Sequence, residues 1–430
     1  MTSLNKSKLM KTRIFPFLIT CLSPFMMFAG DNTGSDYGVM FGGFIKSDFF
    51  YDSRQTVDAR EGHFLLWPAK PSPDAEDNDV NSTPSFNFLS IQTRLNANIT
   101  VPDAFGVKTS GHVEGAFFGH SNSDINGFRL RHAFVKFETE KSELLFGQFW
   151  NPLFVTASFP DVVSFNTGCP FQAFSRNPQI RLTHTLGQFK VIAAALSQRD
   201  FANVGPAGTG SRYLRNSSMP DMHFQVHYTT GNSDAGTQFN LGAAAAYKRI
   251  VPEIETVQGY KTDAAVTGVT YMGYARARLL PVTIKAQYLI GQNVTDMLMI
   301  GGYGISRITD PAKGIVEYAP ILTGSFWLDL HTNGQAVQIG MFLGRSENMG
   351  ATKNLTTGTS TTGLGTDIRR LYRISPRVVF NSGKARFAFE CEYTAASFGT
   401  VDVSENVKGI PVNVNEVSNL RLLLGVYLFL

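Results

Sequence analysis

The sequence predicts an all-β fold, a transmembrane antiparallel β-barrel of about sixteen strands with short periplasmic turns and long extracellular loops. Three observations support this prediction. Only 17% of the 430 residues are charged, many short segments alternate between apolar and polar residues, and short and long connections alternate along the chain. No apolar run of helical transmembrane length follows the N-terminus. A chain of two or three soluble domains, which the length alone would suggest, is therefore not favoured.

The N-terminal segment 1–30 has the layout of an export signal. Four basic residues between positions 6 and 13 precede the apolar stretch 14–28, and small residues follow it. We expect 1–30 to be a signal peptide and 31–430 to form the barrel, placed in the bacterial outer membrane. Losing the signal removes four of the 38 basic residues, which leaves 34 against 34 acidic residues. The net charge then indicates no partner class, and no nucleic acid is expected.

The cysteines do not indicate a disulfide framework. Cys21 leaves with the signal, Cys169 lies in a long loop and Cys391 in a strand. Two cysteines in such different contexts are expected to be unpaired, even in an oxidising compartment.

The first two strands show the alternation clearly. In 39–51, Ile45 and Phe49 fall on one side while Lys46 and Asp48 fall on the other. In 87–101 every odd position from Leu89 onward is apolar or Thr, and the even positions are polar. Alternation of this length predicts one continuous strand with an apolar face and a wet face.

The connections favour a barrel over a sandwich, because strict alternation of short and long connections is typical of transmembrane barrels. Polar residues then line the lumen, and Arg94, Lys108, Glu114 and Arg181 share the face opposite the apolar one. A barrel of this size leaves an aqueous channel. The long connections are 52–85, 121–127, 151–177, 199–220, 250–264, 293–314, 346–367 and 398–418.

The long apolar loop 151–177 is flanked by strands that carry arginines on one face. Arg129 and Arg131 are two residues apart, so their positions lie ~7 Å apart along the strand. Arg181 follows the loop, and Arg176 stands where the loop returns to the wall. Cations in a narrowed pore attract anions, and the guanidinium fork suits carboxylates.

We expect Arg94, Arg129, Arg131, Asp161, Arg176 and Arg181 to form the pore constriction and to set selectivity. The alternative is that the arginines pair with Asp161 or other loop acids and only pin the loop to the wall. Both roles are compatible with each other.

The segment 128–187 resembles the DcaP-like family of trimeric outer-membrane porins. The residues that carry the resemblance are FRLRHAFVKFE, LLFGQFW, FPDVVSF and RNPQIRLTHTLG. The resemblance implies sixteen strands, a homotrimer, a third loop folded into the lumen and passive diffusion of small, often anionic solutes such as dicarboxylates. The C-terminal GVYLFL resembles the closing strand that the barrel-assembly machinery reads, with Leu430 in place of the usual Phe.

No catalytic residue, metal site or cofactor is predicted. His223 and His227 share a face, but four residues along a strand span ~13 Å, too far for one metal. No Ser/His or Asp/His set is recognisable. The predicted function is an outer-membrane diffusion channel in contact with lipid. The alternative is a barrel that transports nothing, such as an adhesin, a structural protein or a barrel enzyme.

Overall fold

The computed structural model describes residues 37–232 and 236–430, so the predicted signal peptide 1–30 and Cys21 lie outside the described residues. Sixteen strands form the barrel. Numbered in chain order, they are β1 (Gly38–Asp52), β2 in two segments (Ser85–Leu89 and Arg94–Thr100), β3 (Lys108–Ala116), β4 (Arg129–Glu138), β5 (Ser142–Trp150), β6 (Arg176–Leu186), β7 (Phe189–Leu196), β8 (Asp221–Asn232), β9 (Thr237–Ile250), β10 (Val266–Arg278), β11 (Val282–Gln292), β12 (Ile315–Thr332), β13 (Val337–Ala351), β14 (Ile368–Ser382), β15 (Ala385–Thr400) and β16 (Val412–Phe429).

Each strand pairs antiparallel with its neighbour in the chain, and the last strand closes the ring on the first. In that closure Lys46 lies opposite Tyr427, and Asp52 lies opposite Arg421. Closure gives the backbone of every barrel strand a partner on both sides, which is the condition for crossing a bilayer with strands. The predicted fold class, an antiparallel β-barrel of about sixteen strands, is confirmed.

The connections alternate in length around the ring as predicted. Between β6 and β7 only residues 187–188 intervene, whereas 197–220 separate β7 from β8. Within the described ranges no helix is long and apolar enough to cross a membrane. The smaller elements all lie in the long loops: strands Thr56–Ala59, Phe64–Pro68, Val204–Gly205, Gly208–Thr209, Gly301–Asp310 and Thr361–Leu364, the helix Arg212–Asn216, and the 3-10 turns Val80–Ser82, Asn122–Asp124 and Thr295–Met297.

The two faces of the wall differ in polarity because successive side chains of a strand point to opposite sides. In β6, Ile180 and Leu182 are exposed on the outer face, while Gln179, Arg181 and Thr183 are buried inside. The same pattern recurs around the ring. The barrel therefore presents apolar side chains outward and polar ones to its lumen.

The prediction of one continuous strand over 87–101 is wrong. Residues 90–93 interrupt β2, and its register to β1 shifts, since Leu89 faces Asp48 whereas Arg94 faces Phe44. Four residues along β1 thus match five residues along β2. Because successive side chains point to opposite sides, the extra residue in β2 exchanges the inner and outer faces of that strand. Leu89 consequently packs against the interior cores, and Phe88 is exposed on the outer face.

Two long loops fill part of the interior. The third loop, 151–175, and the hairpin Thr56–Ala59/Phe64–Pro68 of the first loop, 53–84, pack together in one buried apolar core. The predicted loop 151–177 is two residues too long, because β6 already begins at Arg176. Cys169 is buried in the third loop, and both Cys169 and Cys391 are free thiols, as expected.

Candidate functional site

The third loop crosses the lumen from the β5–β6 side to the opposite wall. Lys46 Nζ on β1 donates to the carbonyl of Val163 at 2.8 Å, and Arg373 Nη1 on β14 donates to the carbonyl of Cys169 at 2.8 Å. Because both donors are buried side chains on the inner face of distant strands, the loop 151–175 lies inside the barrel.

Asp161, near the middle of this loop, contacts the wall through Lys285 and His331. Lys285 Nζ on β11 lies 2.7 Å from its carboxylate, and His331 Nδ1 on β12 lies 3.3 Å from it. His331 also lies 3.1 Å from Asp329, whose carboxylate is bound by Arg377 at 2.8 Å. The alternative pairing of the flanking arginines with Asp161 is not found among its contacts, because its partners come from β11 and β12.

Asp161, Asp329 and His331 each place one potential ligand atom within 4.8 Å of the others. That spacing would suit a metal ion. However, Lys285 and Arg377 already bind the two carboxylates, and their charges oppose a cation at the same place. The geometry gives no reason to assign a metal here.

Arg129 and Arg176 share one carboxylate from the fourth loop, 197–220. Arg129 Nη2 lies 2.5 Å from Asp200 Oδ1, and Arg176 Nε lies 2.8 Å from Asp200 Oδ2. Burial raises the pKa of Asp200, but Arg176 and Arg129 outweigh that effect and hold its pKa below the usual range. The carboxylate is therefore ionised at neutral pH and joins β4, β6 and the fourth loop.

Arg131 and Arg181, which also point inward from the wall strands, have separate partners. Arg131 binds Glu114 on β3. Arg181 Nε donates to Gln179 Oε1 at 2.9 Å, and its Nη2 donates to the carbonyl of Trp150 at 2.7 Å, which secures the end of β5 just before the third loop.

Four guanidinium groups surround the ring of Phe118, within 6 Å of its centroid. Their carbons lie at 4.5 Å (Arg60), 5.7 Å (Arg129), 5.6 Å (Arg131) and 5.7 Å (Arg176) from the centroid. We call these four residues the arginine cluster. Cations above an aromatic face are attracted by the ring quadrupole, so Phe118 helps to hold them together.

A cavity of about 420 Å³ adjoins the third loop. Residues beside the short turns line it, so it lies in the half of the lumen near those turns. Arg94, Arg377 and Arg386 contribute to its wall together with His331, and Asp161 contributes the acid. Within the described ranges neither Arg94 nor Arg386 forms an ion pair, whereas Arg377 is paired with Asp329.

The six predicted site residues thus fall into three places. Arg129, Arg131 and Arg176 come together in the arginine cluster; Arg94 and Asp161 line the cavity; Arg181 binds the end of β5, next to the third loop. Sequence reasoning missed Arg60 and Asp200, which the long loops carry to the wall from distant positions. Neither residue lies in an alternating segment, so no local pattern marked it.

Comparison with solved structures identifies known proteins that share this fold. The outer-membrane channel DcaP of Acinetobacter baumannii matches over 94% of this chain and 100% of its own, with a TM-score of 0.64 at 13% identity. The chain has a porin fold. An anion-selective porin from Comamonas acidovorans matches over 92% of this chain and 100% of its own, with a TM-score of 0.57 at 12% identity. The in-vitro folded trimer form of OmpT from Vibrio cholerae gives 0.52 at 13% identity, over 92% of this chain and 99% of its own.

The resemblance to DcaP is confirmed at the level of the fold. No protein-family model matches the chain. No curated protein matches it either.

Proposed function

We propose that this protein is an outer-membrane channel for passive diffusion of small hydrophilic solutes, favouring anions such as carboxylates and dicarboxylates. The third loop, with the arginines that flank it, forms the constriction. The observation that carries the proposal is the combination of an apolar outer wall, a polar lumen and a loop that crosses that lumen. A barrel of sixteen strands is wide enough for an aqueous path beside such a loop.

Anion preference is supported by the charges that the cavity carries. Arg94 and Arg386 line it without a carboxylate partner among the described residues, while Asp161 is neutralised by Lys285. A low-dielectric wall focuses the field of such cations onto the solute path. The Comamonas porin of the same fold is described as anion-selective, and the same property is proposed here.

The proposed setting follows from the same features. The apolar outer wall contacts outer-membrane lipid, segment 1–30 directs export, and the strand ending in GVYLFL is read by the barrel-assembly machinery. We propose a homotrimer, the state that the Vibrio cholerae OmpT structure is described as having. No catalytic role is proposed.

A second candidate, a barrel that transports nothing, is favoured by one observation. The hairpin of the first loop and the third loop pack an apolar core inside the barrel, with Phe64, Phe165 and Phe174 in mutual contact. Such a core would act as a plug if no path remained beside it. An adhesin, a structural protein or a barrel enzyme would then be the alternative.

Conductance in a planar bilayer separates the two candidates. We expect stepwise current increments in potassium chloride when the purified protein inserts. Insertion shown by antibody or proteolysis, without any current above the bare bilayer, would favour the plugged barrel instead.

Replacing Arg94 and Arg386 together by Gln tests anion preference. The double variant loses two cavity cations that have no ion-pair partner, so the reversal potential in a tenfold salt gradient should move toward the cation side. A matched variant replaces Arg307 and Arg345, which are exposed in the long-loop half, and should keep the wild-type value. Equal reversal potentials in both variants would contradict the assigned role of the cavity arginines.

A further inference from the structure

The hairpin of the first loop carries a histidine that is fully enclosed inside the barrel. His63 lies in its turn, between the strands Thr56–Ala59 and Phe64–Pro68, and its side chain is 1% exposed. Its ring packs on Phe165 of the third loop, with the ring centroids 4.4 Å apart. Neither ring nitrogen has a hydrogen-bond partner among the described residues. Such surroundings favour the neutral imidazole and disfavour the protonated one.

The charges around His63 also oppose a further cation. Asp48 on β1 places Oδ2 3.5 Å from His63 Nε2, but its Oδ1 already lies 2.9 Å from Lys46 Nζ. Arg60, in the same turn as His63, forms no ion pair in the described part of the chain, and two of its guanidinium nitrogens have no acceptor there. The third loop faces the ring with Phe165, which carries no charge. A protonated His63 would therefore join two cations, Lys46 and Arg60, beside one carboxylate.

Proton binding by His63 consequently differs between the docked and the undocked hairpin. Burial is the largest influence and outweighs the attraction of Asp48, so the pKa of His63 in the docked hairpin falls to about 4. A histidine in a solvated loop has a pKa of about 6.5. Between these two values the undocked hairpin binds more protons than the docked one. Docking is therefore strongest above about pH 6.5 and weakens by up to about tenfold per pH unit as the pH falls toward about 4.

We propose that the first-loop hairpin is a pH-dependent plug of the lumen, whose docking is weakened when His63 takes up a proton. The hairpin packs on the third loop through side chains, with Phe64 against Phe165 and Phe174. The loop segments 53–55 and 69–84 join it to β1 and β2, so it can leave the lumen without any change in the wall strands. Undocking brings the His63 ring into water, where it holds a proton as in any solvated loop.

Undocking of the hairpin in acid does not rest on the proposed channel function, but its effect on current does. If the barrel conducts, undocking removes part of the apolar core from the lumen, and the mean current rises. Acid-dependent undocking without current at any pH would contradict the channel and support the plug. Current without acid-dependent undocking would contradict the plug and support the channel.

The test is amide hydrogen exchange of the detergent-solubilised full chain, followed by mass spectrometry of peptides that cover 56–68. Each exchange rate is divided by the intrinsic rate at the same pH, which gives a protection factor that reports local opening. We expect the protection of the hairpin amides to be about 30-fold lower at about pH 5 than at about pH 7.5, as the two pKa values require. This measurement on the wild type does not depend on any variant folding. Equal protection at the two pH values would overturn the proposal.

His63→Phe assigns the pH dependence to one side chain. The variant removes the titrating group and keeps a ring that can pack on Phe165, so its hairpin protection should be the same at both pH values. His184→Gln is the matched control, because His184 lies near the short-turn end of β6, where it contacts Ser142 at 2.8 Å. That variant should keep the wild-type pH dependence. Undiminished pH dependence in the His63 variant, or its loss in the His184 variant, would overturn the proposal.

Current through planar bilayers gives the second readout. The mean current of the wild type should rise when the pH is lowered from about 7.5 to about 5, the range in which a solvated histidine gains its proton. The His63→Phe variant should not show this rise, whereas His184→Gln should. A rise of equal size in the wild type and in the His63 variant would overturn the proposal.

Discussion

At the scale of single residues, Asp200 lies in a loop but stabilises the barrel wall through two ion pairs with buried arginines. Its two oxygens bind Arg129 and Arg176, so one loop carboxylate pairs with two buried cations from different strands. Removing one partner of a buried ion pair lowers the free energy of unfolding far more than removing one partner of an exposed pair. The reason is that the remaining buried charge is left without a counter-charge. The stability of the arginine cluster should therefore depend on this residue.

Asp200→Asn should lower the free energy of unfolding by about 3–5 kcal/mol, since Arg129 and Arg176 would both lose their counter-charge. Chemical denaturation in detergent, followed by fluorescence, measures the change. Asp367→Asn is the matched control, because Asp367 pairs with Lys70 at the surface and such pairs contribute no more than about 1 kcal/mol. Equal destabilisation by the two substitutions would show that the Asp200 pairs are not special.

At the scale of elements, the alternation of apolar and polar residues predicted the positions of the strands well. It predicted less completely which side chains of each strand point into the lumen. The pattern of 87–101 correctly placed Leu95 outward and Arg94 inward. It failed at Leu89 because the interruption at 90–93 exchanges the inner and outer faces of the strand. No residue type within 90–93 indicates the extra residue. The third loop was predicted inside the lumen, but the entry of the first-loop hairpin was not, since its contacts come from strands far away in sequence.

Arg373 on β14 joins the two infolded loops to the wall. Its guanidinium donates to the carbonyls of Cys169 and Leu66 at 2.8 and 2.9 Å and lies 3.4 Å from Glu392. One buried side chain therefore holds both the third loop and the first-loop hairpin.

Arg373→Gln should release both loops, because Gln cannot reach two carbonyls and a carboxylate together. We expect faster protease cleavage within 151–175 and a larger single-channel conductance than in the wild type. Arg369→Gln, in the same strand and partly exposed near Glu347, should change neither property. Unchanged cleavage in the Arg373 variant would mean that other contacts alone hold the loops.

At the scale of the whole molecule, the outer wall and the lumen impose opposite demands on each strand. In β16, Arg421 is buried inside against Asp52, while the adjacent Leu422 is exposed on the outer face. This division is the one that a bilayer outside and water inside require. The outer wall therefore offers a direct test of membrane insertion.

Leu422→Arg should destabilise the inserted barrel by about 2–4 kcal/mol, the cost of a cation near the middle of the bilayer. Leu428→Arg should cost only about 0–1 kcal/mol, because Leu428 lies one residue before the end of β16 and its charge can reach the interface. Both leucines are exposed on the same face of one strand, so depth is the main variable. Reversible unfolding from lipid vesicles measures the difference. Equal costs for the two variants would mean that lipid does not cover this wall.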